Sequence, residues 1–454
     1  MLYYRLYPIL DQYQPDDQFG FRRDKRIEDI FAILENIMGK TDEWNLPVWM
    51  ISLDLRKAFD TIKFTPLFTA LRKQGVPEAY VQLLAALYEK QKGSVNGSSF
   101  FDILRGVKQG DVLSSMLFNA GLEAAFSEWR SRLTSEGFLL TTGGNRLTNV
   151  RYADDVMLFA KSVGELENMV KLLVASFGTV GLELNASKSK IITNDNINFD
   201  FMDIADQMVE IIQAQSSHKY LGRYLSGEFA FRENTEINHR SNKNVCIRLR
   251  LKLFDAVITP TILFGLAALP LTQSSLEKLE ITQKKMMRKM VGWVRLEGEP
   301  WETTMRRMKD RVDAALVRRP VMWWTQRLAK YIWNFAVRVK SASPDSWLAQ
   351  STKWKPDMID DASCAFFPNR CRGAPRLKWD DSIRKFCYIH FNCCWHDVPM
   401  GLFTARIDQF MRHFSGHDVV VRDITPLNVP SRTVNVPIHR ISVPFFQARN
   451  DNWW

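Results

Sequence analysis

The sequence predicts an α+β fold followed by a mainly helical second half, and three observations carry that expectation. Residues 48–54 (VWMISLD) read as a strand buried on both faces, open only at its acidic end. Residues 147–159 (LTNVRYADDVMLF) have two strand-like arms around Ala153-Asp154-Asp155, the pattern of a β-hairpin with carboxylates at its turn. Well-punctuated amphipathic segments separate and follow these strands, and strands interleaved with helices around one hairpin make an α+β domain.

The helices follow in order. Thr65 and Pro66 open one that Gly75 ends, and Pro77 opens another that reaches about residue 90. Residues 113–132 predict a longer helix with Leu113, Leu117, Ala120 and Ala124 along it. Ser162 and Glu165 form a capping-box pair. The helix they start carries Leu166, Met169, Val170, Leu173 and Phe177 on one face, and Gly181 lies just beyond it. After about Asp195 the strand signals thin out, while 248–294 and 312–339 have helical periodicity. The expected division is 1–235 for the α+β part, 236–340 for a helical domain and 341–454 for a region of uncertain fold.

Composition bounds what such a chain does. With 454 residues, 46% hydrophobic and 24% charged, it has the profile of a globular protein with two or three cores. A net charge of +11 and a pI near 9.3 suit a polyanionic partner without specifying an activity. Between Lys284 and Lys330 there are 13 Lys and Arg against 5 Asp and Glu, with Trp293, Trp301, Trp323 and Trp324 among them. Arg and Trp together suit phosphate contact and base stacking, but a solvated helix face over buried tryptophans gives the same pattern. Six irregularly spaced cysteines make no disulfide framework, which fits a reducing compartment. The start of the chain lacks a secretory h-region. The most apolar stretch, 256–271, is short for a membrane span and holds Pro260 and Pro270, so it reads as a buried helix and a turn.

Three carboxylates carry the chemical argument. Asp54 closes the first strand, and Asp154-Asp155 sit at the hairpin turn 100 residues later. If those strands are neighbours, the carboxylates converge on one sheet edge, where they repel one another unless cations join them. Mg²⁺ and similar hard ions bind a few carboxylates plus substrate phosphates. Two such ions about 4 Å apart activate a 3′-hydroxyl and steady a leaving pyrophosphate. Taken singly, the Asp pair also reads as turn chemistry and Asp54 as a strand end.

The runs around these residues resemble a known family. Asp54-Leu55-Arg56-Lys57-Ala58-Phe59-Asp60 resembles the first catalytic motif of retroelement polymerases, and Arg151-Tyr152-Ala153-Asp154-Asp155 their aromatic-x-Asp-Asp box. Between them, 106–114 (GVKQGDVLS) is similar to the Gly/Gln motif beside the templating base. Then 181–188 (GLELNASK) is similar to the lysine-bearing motif, and Tyr220-Leu221-Gly222 to the turn that grips the primer. With 258–265 (ITPTILFG) and 372–379 (RGAPRLKW), the resemblance to reverse transcriptases of non-LTR (LINE-like) retrotransposons runs from residue 18 to about 385.

That resemblance implies a right-hand polymerase fold: palm, partial fingers, and a helical thumb followed by a C-terminal region. It implies RNA-directed DNA synthesis with two Mg²⁺ (or Mn²⁺) ions, and as partners an RNA template, a DNA primer and deoxynucleoside triphosphates, with no membrane. Asp54, Asp154 and Asp155 would hold the metals, joined by the Leu55 carbonyl, and Lys188 would protonate pyrophosphate. Phe59 would exclude a ribose 2′-hydroxyl, and Gln109 and Gly110 would lie under the incoming nucleotide. Arg22 and Arg23, with Lys25 and Arg26, would meet template or triphosphate, and Tyr220 and Gly222 the primer. Asp60 reads as a helix cap.

The motifs begin partway through the family's fingers, and endonuclease activity is expected from another domain or protein. The nucleus is the compartment the resemblance implies, with the cytoplasm as the alternative. Many relatives carry a zinc knuckle near the end; here Cys387, His390, Cys393, Cys394 and His396 depart from its spacing and give no clean four-ligand set. Two other readings remain at this point: an incompetent truncated protein that only binds nucleic acid, and a group II intron maturase-like protein.

Overall fold

The computed structural model describes residues 1–94, 99–195, 197–205, 207–213, 216–226, 231–232, 246–356 and 376–414. The first four residues of the 372–379 segment lie outside them. Strand Trp49–Leu53 forms beside the hairpin Asn149–Tyr152 and Asp155–Ala160 in a six-stranded sheet. In spatial order the strands are Asn149–Tyr152, Asp155–Ala160, Trp49–Leu53, Lys190–Thr193, Gln207–Ile211 and Phe201–Ile204. Neighbours are antiparallel except Lys190–Thr193 with Gln207–Ile211, which run parallel.

Period-two alternation sends each strand's side chains to two cores. Ile51, Leu53, Val156, Leu158 and Ile191 face helices Ser114–Arg130 and Val163–Val180, whose Leu117, Phe118, Leu166, Met169 and Phe177 complete that layer. Met50, Val150, Met157, Phe159 and Ile192 face helix Ile27–Glu43 through Ile30, Ile33, Leu34 and Ile37. The central strand is buried at every residue, as a run that is apolar at all but Ser52 predicts.

Local signals held where the chemistry was strong. Ser162 Oγ accepts the Glu165 N–H, and Gly181 ends that helix at φ +87°. The reciprocal half of the box is absent: the Glu165 carboxylate accepts instead from the N–H groups of Gly137 and Lys161. Helix Phe64–Lys73 begins before Thr65, putting Pro66 in the first turn, where its missing N–H has no intrahelical acceptor. The thinning of strand signals after Asp195 is corrected: Phe201–Ile204, Gln207–Ile211, Ser217–Tyr220 and Arg223–Ser226 are all strands.

In the second half, helices Gln273–Met290, Trp301–Arg318 and Trp324–Ser341 share one core with Asp381–Phe391 and Ile407–Phe414. Trp333 lies within 6 Å of Phe386, Phe403 and Phe410, so the described part of 341–454 packs onto the helical domain. Phe31 and Ala32 join this core from the sheet-covering helix. Residues Ile247–Ala268 are long and apolar enough to cross a membrane by length and composition alone. Here they are broken by a π turn at Phe254–Ile258 and a 3-10 turn at Leu266–Ala268, with Leu251, Phe254, Leu263 and Leu266 in the core. In the Trp-rich basic stretch Trp324 is a core tryptophan, while Trp293 and Trp301 are exposed.

Candidate active site

The sheet register assembles the acidic edge. Trp49–Leu53 pairs with Asp155–Ala160 so that Leu53 lies opposite Val156; one step further, Asp54 comes beside Asp155. Tyr152 pairs with Asp155 across the hairpin, leaving Ala153 and Asp154 as a two-residue turn with Ala153 at φ +58°. Residues 100 apart in sequence thus meet at one end of two central strands. Burial and the Asp54 charge raise the Asp154 carboxyl above its ordinary value. Burial, then the charges of Asp154 and Asp54, push Asp155 up to about 6.

Asp54 is held from the other side by a turn that the sequence singled out only for its lysine. Asn185 Nδ2 donates to Asp54 Oδ2 at 2.8 Å, the Asn185 N–H donates to the Asp54 carbonyl at 2.8 Å, and the Asp54 N–H donates to Ser189 Oγ at 3.1 Å. Lys188 stands on this turn, exposed. The Leu55 side chain is in the core, so only its backbone is available at the site. His218, close to Asp54, is hydrogen-bonded to Ser52 Oγ at 3.2 Å; burial and then Lys190 lower its pKa.

The donor set is oxygen-rich and anionic, the chemistry that suits Mg²⁺ or Mn²⁺. Among the described residues no group of three or more His, Cys, Asp or Glu side chains is gathered so that it could hold a metal ion. Asp154 and Asp155, raised by burial and by neighbouring negative charge, are carboxyls that a hard divalent ion would relieve.

Beside the acids lies an aromatic floor. Phe59 stacks on Phe118 at 4.4 Å and meets Phe21 edge-on at 6.4 Å, and Phe21 in turn lies 6.4 Å from Tyr152. The Gly/Gln segment is tied to it: the Val107 N–H donates to the Phe59 carbonyl and the Gly106 N–H to that of Ile62. Gly106 sits at φ +92°, where a Cβ would lie 2.7 Å from the Asp60 carbonyl oxygen, so only glycine fits. Gln109 Nε2 reaches Asp60 Oδ1 at 3.3 Å. Asp60 is therefore not a helix cap, as expected above, but a strut for Gln109. Gly110 is exposed, with nothing within 4 Å of where a Cβ would stand.

Two expected nucleic-acid contacts are corrected. Arg22 pairs with Asp11 at 2.8 Å and also donates to the carbonyls of Pro15, Gln18 and Asp11, so its guanidinium is spent on tying the chain's first helix to this segment. The Tyr220 ring is 2% exposed, inside the core beneath the hairpin. Gly222, by contrast, is exposed at φ +84° with Leu221 at φ +47°, a two-residue turn joining Ser217–Tyr220 to Arg223–Ser226. Arg23 is exposed with its guanidinium 4.9 Å from the Tyr7 ring, and Lys25 pairs with Asp16.

Sequence reasoning gave no individual role to Asn185, Ser189, His218, Phe21 or Gln18, none of which advertises one without its partner. In the Cys/His cluster, burial first and then Cys393 and Cys394 push the Cys387 thiol up to about 12. Burial holds His396 down at about 4.

Comparison with known proteins bears on the same region. The family model described as reverse transcriptase (RNA-dependent DNA polymerase) matches residues 1–225. The Pol polyprotein of the type-2 retrotransposable element R2DM of Drosophila melanogaster is 30% identical over 176 residues, 38% of this chain and 16% of that protein. A transposon-derived protein of Caenorhabditis elegans is 25% identical over 263 residues, 54% of this chain and 87% of that protein. The chain spans 16% of the Drosophila polyprotein's length, and 35% of an R2 polyprotein from Popillia japonica that is 25% identical. Among solved structures, telomerase from Candida albicans with a telomeric RNA fragment aligns at a TM-score of 0.42 and 12% identity, over 78% of this chain and 56% of that one.

Proposed function

We propose that the chain is a reverse transcriptase of the non-LTR retrotransposon kind and extends a DNA primer on an RNA template; the match of residues 1–225 to the reverse transcriptase family model and the likeness to R2 polyproteins support the reading. The observation that carries the reading is the strand register that brings Asp54 beside Asp155 at one sheet edge, with Asp154 at the adjoining turn.

In this reading Asp54, Asp154 and Asp155 hold two Mg²⁺ (or Mn²⁺) ions, with the Leu55 carbonyl completing the set. The ions, when bound, supply Lewis acidity to the primer 3′-hydroxyl and to the departing pyrophosphate. The primer 3′-oxygen bonds to the α-phosphorus of the deoxynucleoside triphosphate, the bond from that phosphorus to the α,β-bridging oxygen breaks to release pyrophosphate, and the 3′-hydroxyl proton passes to solvent water. Lys188, exposed on the turn that anchors Asp54, donates a proton to pyrophosphate. Phe59, backed by Phe118, is a rigid wall beneath the sugar and selects against a 2′-hydroxyl. The open backbone at Gly110 lets a nucleotide approach, with Gln109 steadied by Asp60. Arg23 and Gly222 meet nucleic acid.

The test is extension of a DNA primer on an RNA template and on a DNA template of the same sequence, with Mg²⁺ or Mn²⁺. The expected result is extension on RNA that Asp154→Asn with Asp155→Asn abolishes. Equal RNA binding by both proteins with extension by neither would leave a nucleic-acid binder and overturn the proposal.

A further inference from the structure

The acidic turn has a support that the proposed chemistry does not mention. Residues Asp17–Gly20 run along the free edge of the hairpin's outer strand: the Arg151 N–H donates to the Asp17 carbonyl at 2.8 Å, and the Phe19 N–H to the Arg151 carbonyl at 2.7 Å. Gln18 bridges in parallel to Arg151 and is 0% exposed. Its side chain turns to the hairpin itself. Gln18 Oε1 accepts the Ala153 N–H at 3.0 Å and the Gly20 N–H at 2.8 Å, while Nε2 lies 3.5 Å from the Ala153 carbonyl.

That contact falls at the weakest point of the turn. Ala153 holds φ +58°, a conformation that costs an alanine about 1 kcal/mol or more and persists only where surroundings enforce it. It immediately precedes Asp154 and Asp155, whose like charges push the turn apart. A second brace prevents retreat. A Cβ on Gly20 would overlap the Ala153 backbone nitrogen, so the two backbones are in direct contact, and Asn119 Nδ2 secures the Gly20 carbonyl at 2.8 Å. Behind them Arg151, fully buried, pairs with Asp17 and Glu123 and lies 3.9 Å over the Phe126 ring.

We propose that Gln18 is the positioning residue of the acidic turn: its buried amide fixes the Ala153 backbone and thereby the orientation in which Asp154 and Asp155 receive divalent ions. The proposal rests on the metal-binding part of the function above and not on polymerisation itself. Gln18 touches neither substrate nor ion, so its effect passes entirely through the turn.

The experiment compares the full chain with Gln18→Met, which keeps length and packing but no hydrogen bonds, and with Gln18→Asn, one methylene too short to reach. Three quantities are read: Mn²⁺ affinity by electron paramagnetic resonance, amide hydrogen exchange at residues 150–156, and Tm. Both variants are expected to bind Mn²⁺ at least about tenfold more weakly, the scale seen when a group that orients a metal ligand is lost. The Ala153 amide is expected to exchange about tenfold faster, while Trp49–Leu53 exchanges as before. If Gln18→Met loses Tm throughout, Gln18→Asn decides. Unchanged Mn²⁺ affinity in a folded variant overturns the proposal, as does a parent chain that binds no Mn²⁺. A parent that binds Mn²⁺ but extends no primer sinks the polymerase reading while leaving this one standing.

Discussion

Asp155 gathers three influences at one carboxyl: the low-dielectric hairpin, then Asp154, then Asp54, which together raise it from 3.8 to about 6. A carboxyl raised by folding binds its proton more tightly in the native state. Its contribution to stability is therefore present below about pH 4 and lost as pH rises through about 6. The metal-free protein should gain Tm on Asp155→Asn at about pH 7.5, and the gain should shrink as pH falls and vanish at about pH 3. Calorimetry in chelator measures both points; equal Tm values at the higher pH would mean the carboxylates are not crowded. At this scale the acids themselves were legible, because their two motifs occur together and in order with three others; singly, each also reads as ordinary turn or strand-end chemistry. Their supports were not. Nothing in the letter Asn185 or Gln18 says that its amide will reach Asp54 or Ala153 from 131 or 135 positions away. The same blindness to partners misassigned Arg22, a cation claimed by Asp11, and Tyr220, an aromatic claimed by the core.

Among elements, the segment before helix Ser114–Arg130 shows how backbone contact sets a site. Gly106 and Val107 dock onto the backbone of Ile62 and Phe59, which fixes Gln109 and Gly110 relative to the aromatic floor. Gly106→Ala puts a Cβ 2.7 Å from the Asp60 oxygen at a φ of +92°. Denaturant unfolding should record a loss of about 1–3 kcal/mol; a change within about 0.5 kcal/mol, the range of an unremarkable surface substitution, would contradict the tight docking. The elements with strong end signals, such as Ser162 and Gly181 around Val163–Val180, were readable in advance. The strands after Asp195 were not. Ser217–Tyr220 carries Ser, His and Lys, and Phe201–Ile204 is an edge strand with half its residues exposed, so neither has the apolar density that marks a buried strand. Their pairing is tertiary, and the register that makes them strands is not written locally.

Across the whole molecule, the helical half is locked to the sheet half through one helix. Ile27–Glu43 covers the sheet with one face and gives Phe31 and Ala32 to the helical core with another. Arg338 Nε bonds Asp29 Oδ1 at 2.7 Å, with Asp29 1% exposed, and Lys40 Nζ donates to the carbonyl of Ser351 at 2.8 Å. Arg338→Met strands a buried carboxylate, so urea unfolding should show a loss of about 3 kcal/mol; no measurable loss would mean the halves are joined by apolar contact alone. Such a lock keeps the helical half in a fixed relation to the acidic edge. The central claim remains that this edge is a polymerase centre, and Asp54 tests it most directly, because it comes from a different strand than the hairpin acids. The measurement is the rate of first-nucleotide addition to a primer on an RNA template by the parent chain and by Asp54→Asn, at equal template occupancy and saturating Mg²⁺. The account predicts a loss of about a thousandfold or more, equivalent to about 4 kcal/mol of transition-state stabilisation. Addition by Asp54→Asn within about threefold of the parent rate, a difference under about 1 kcal/mol, would contradict it.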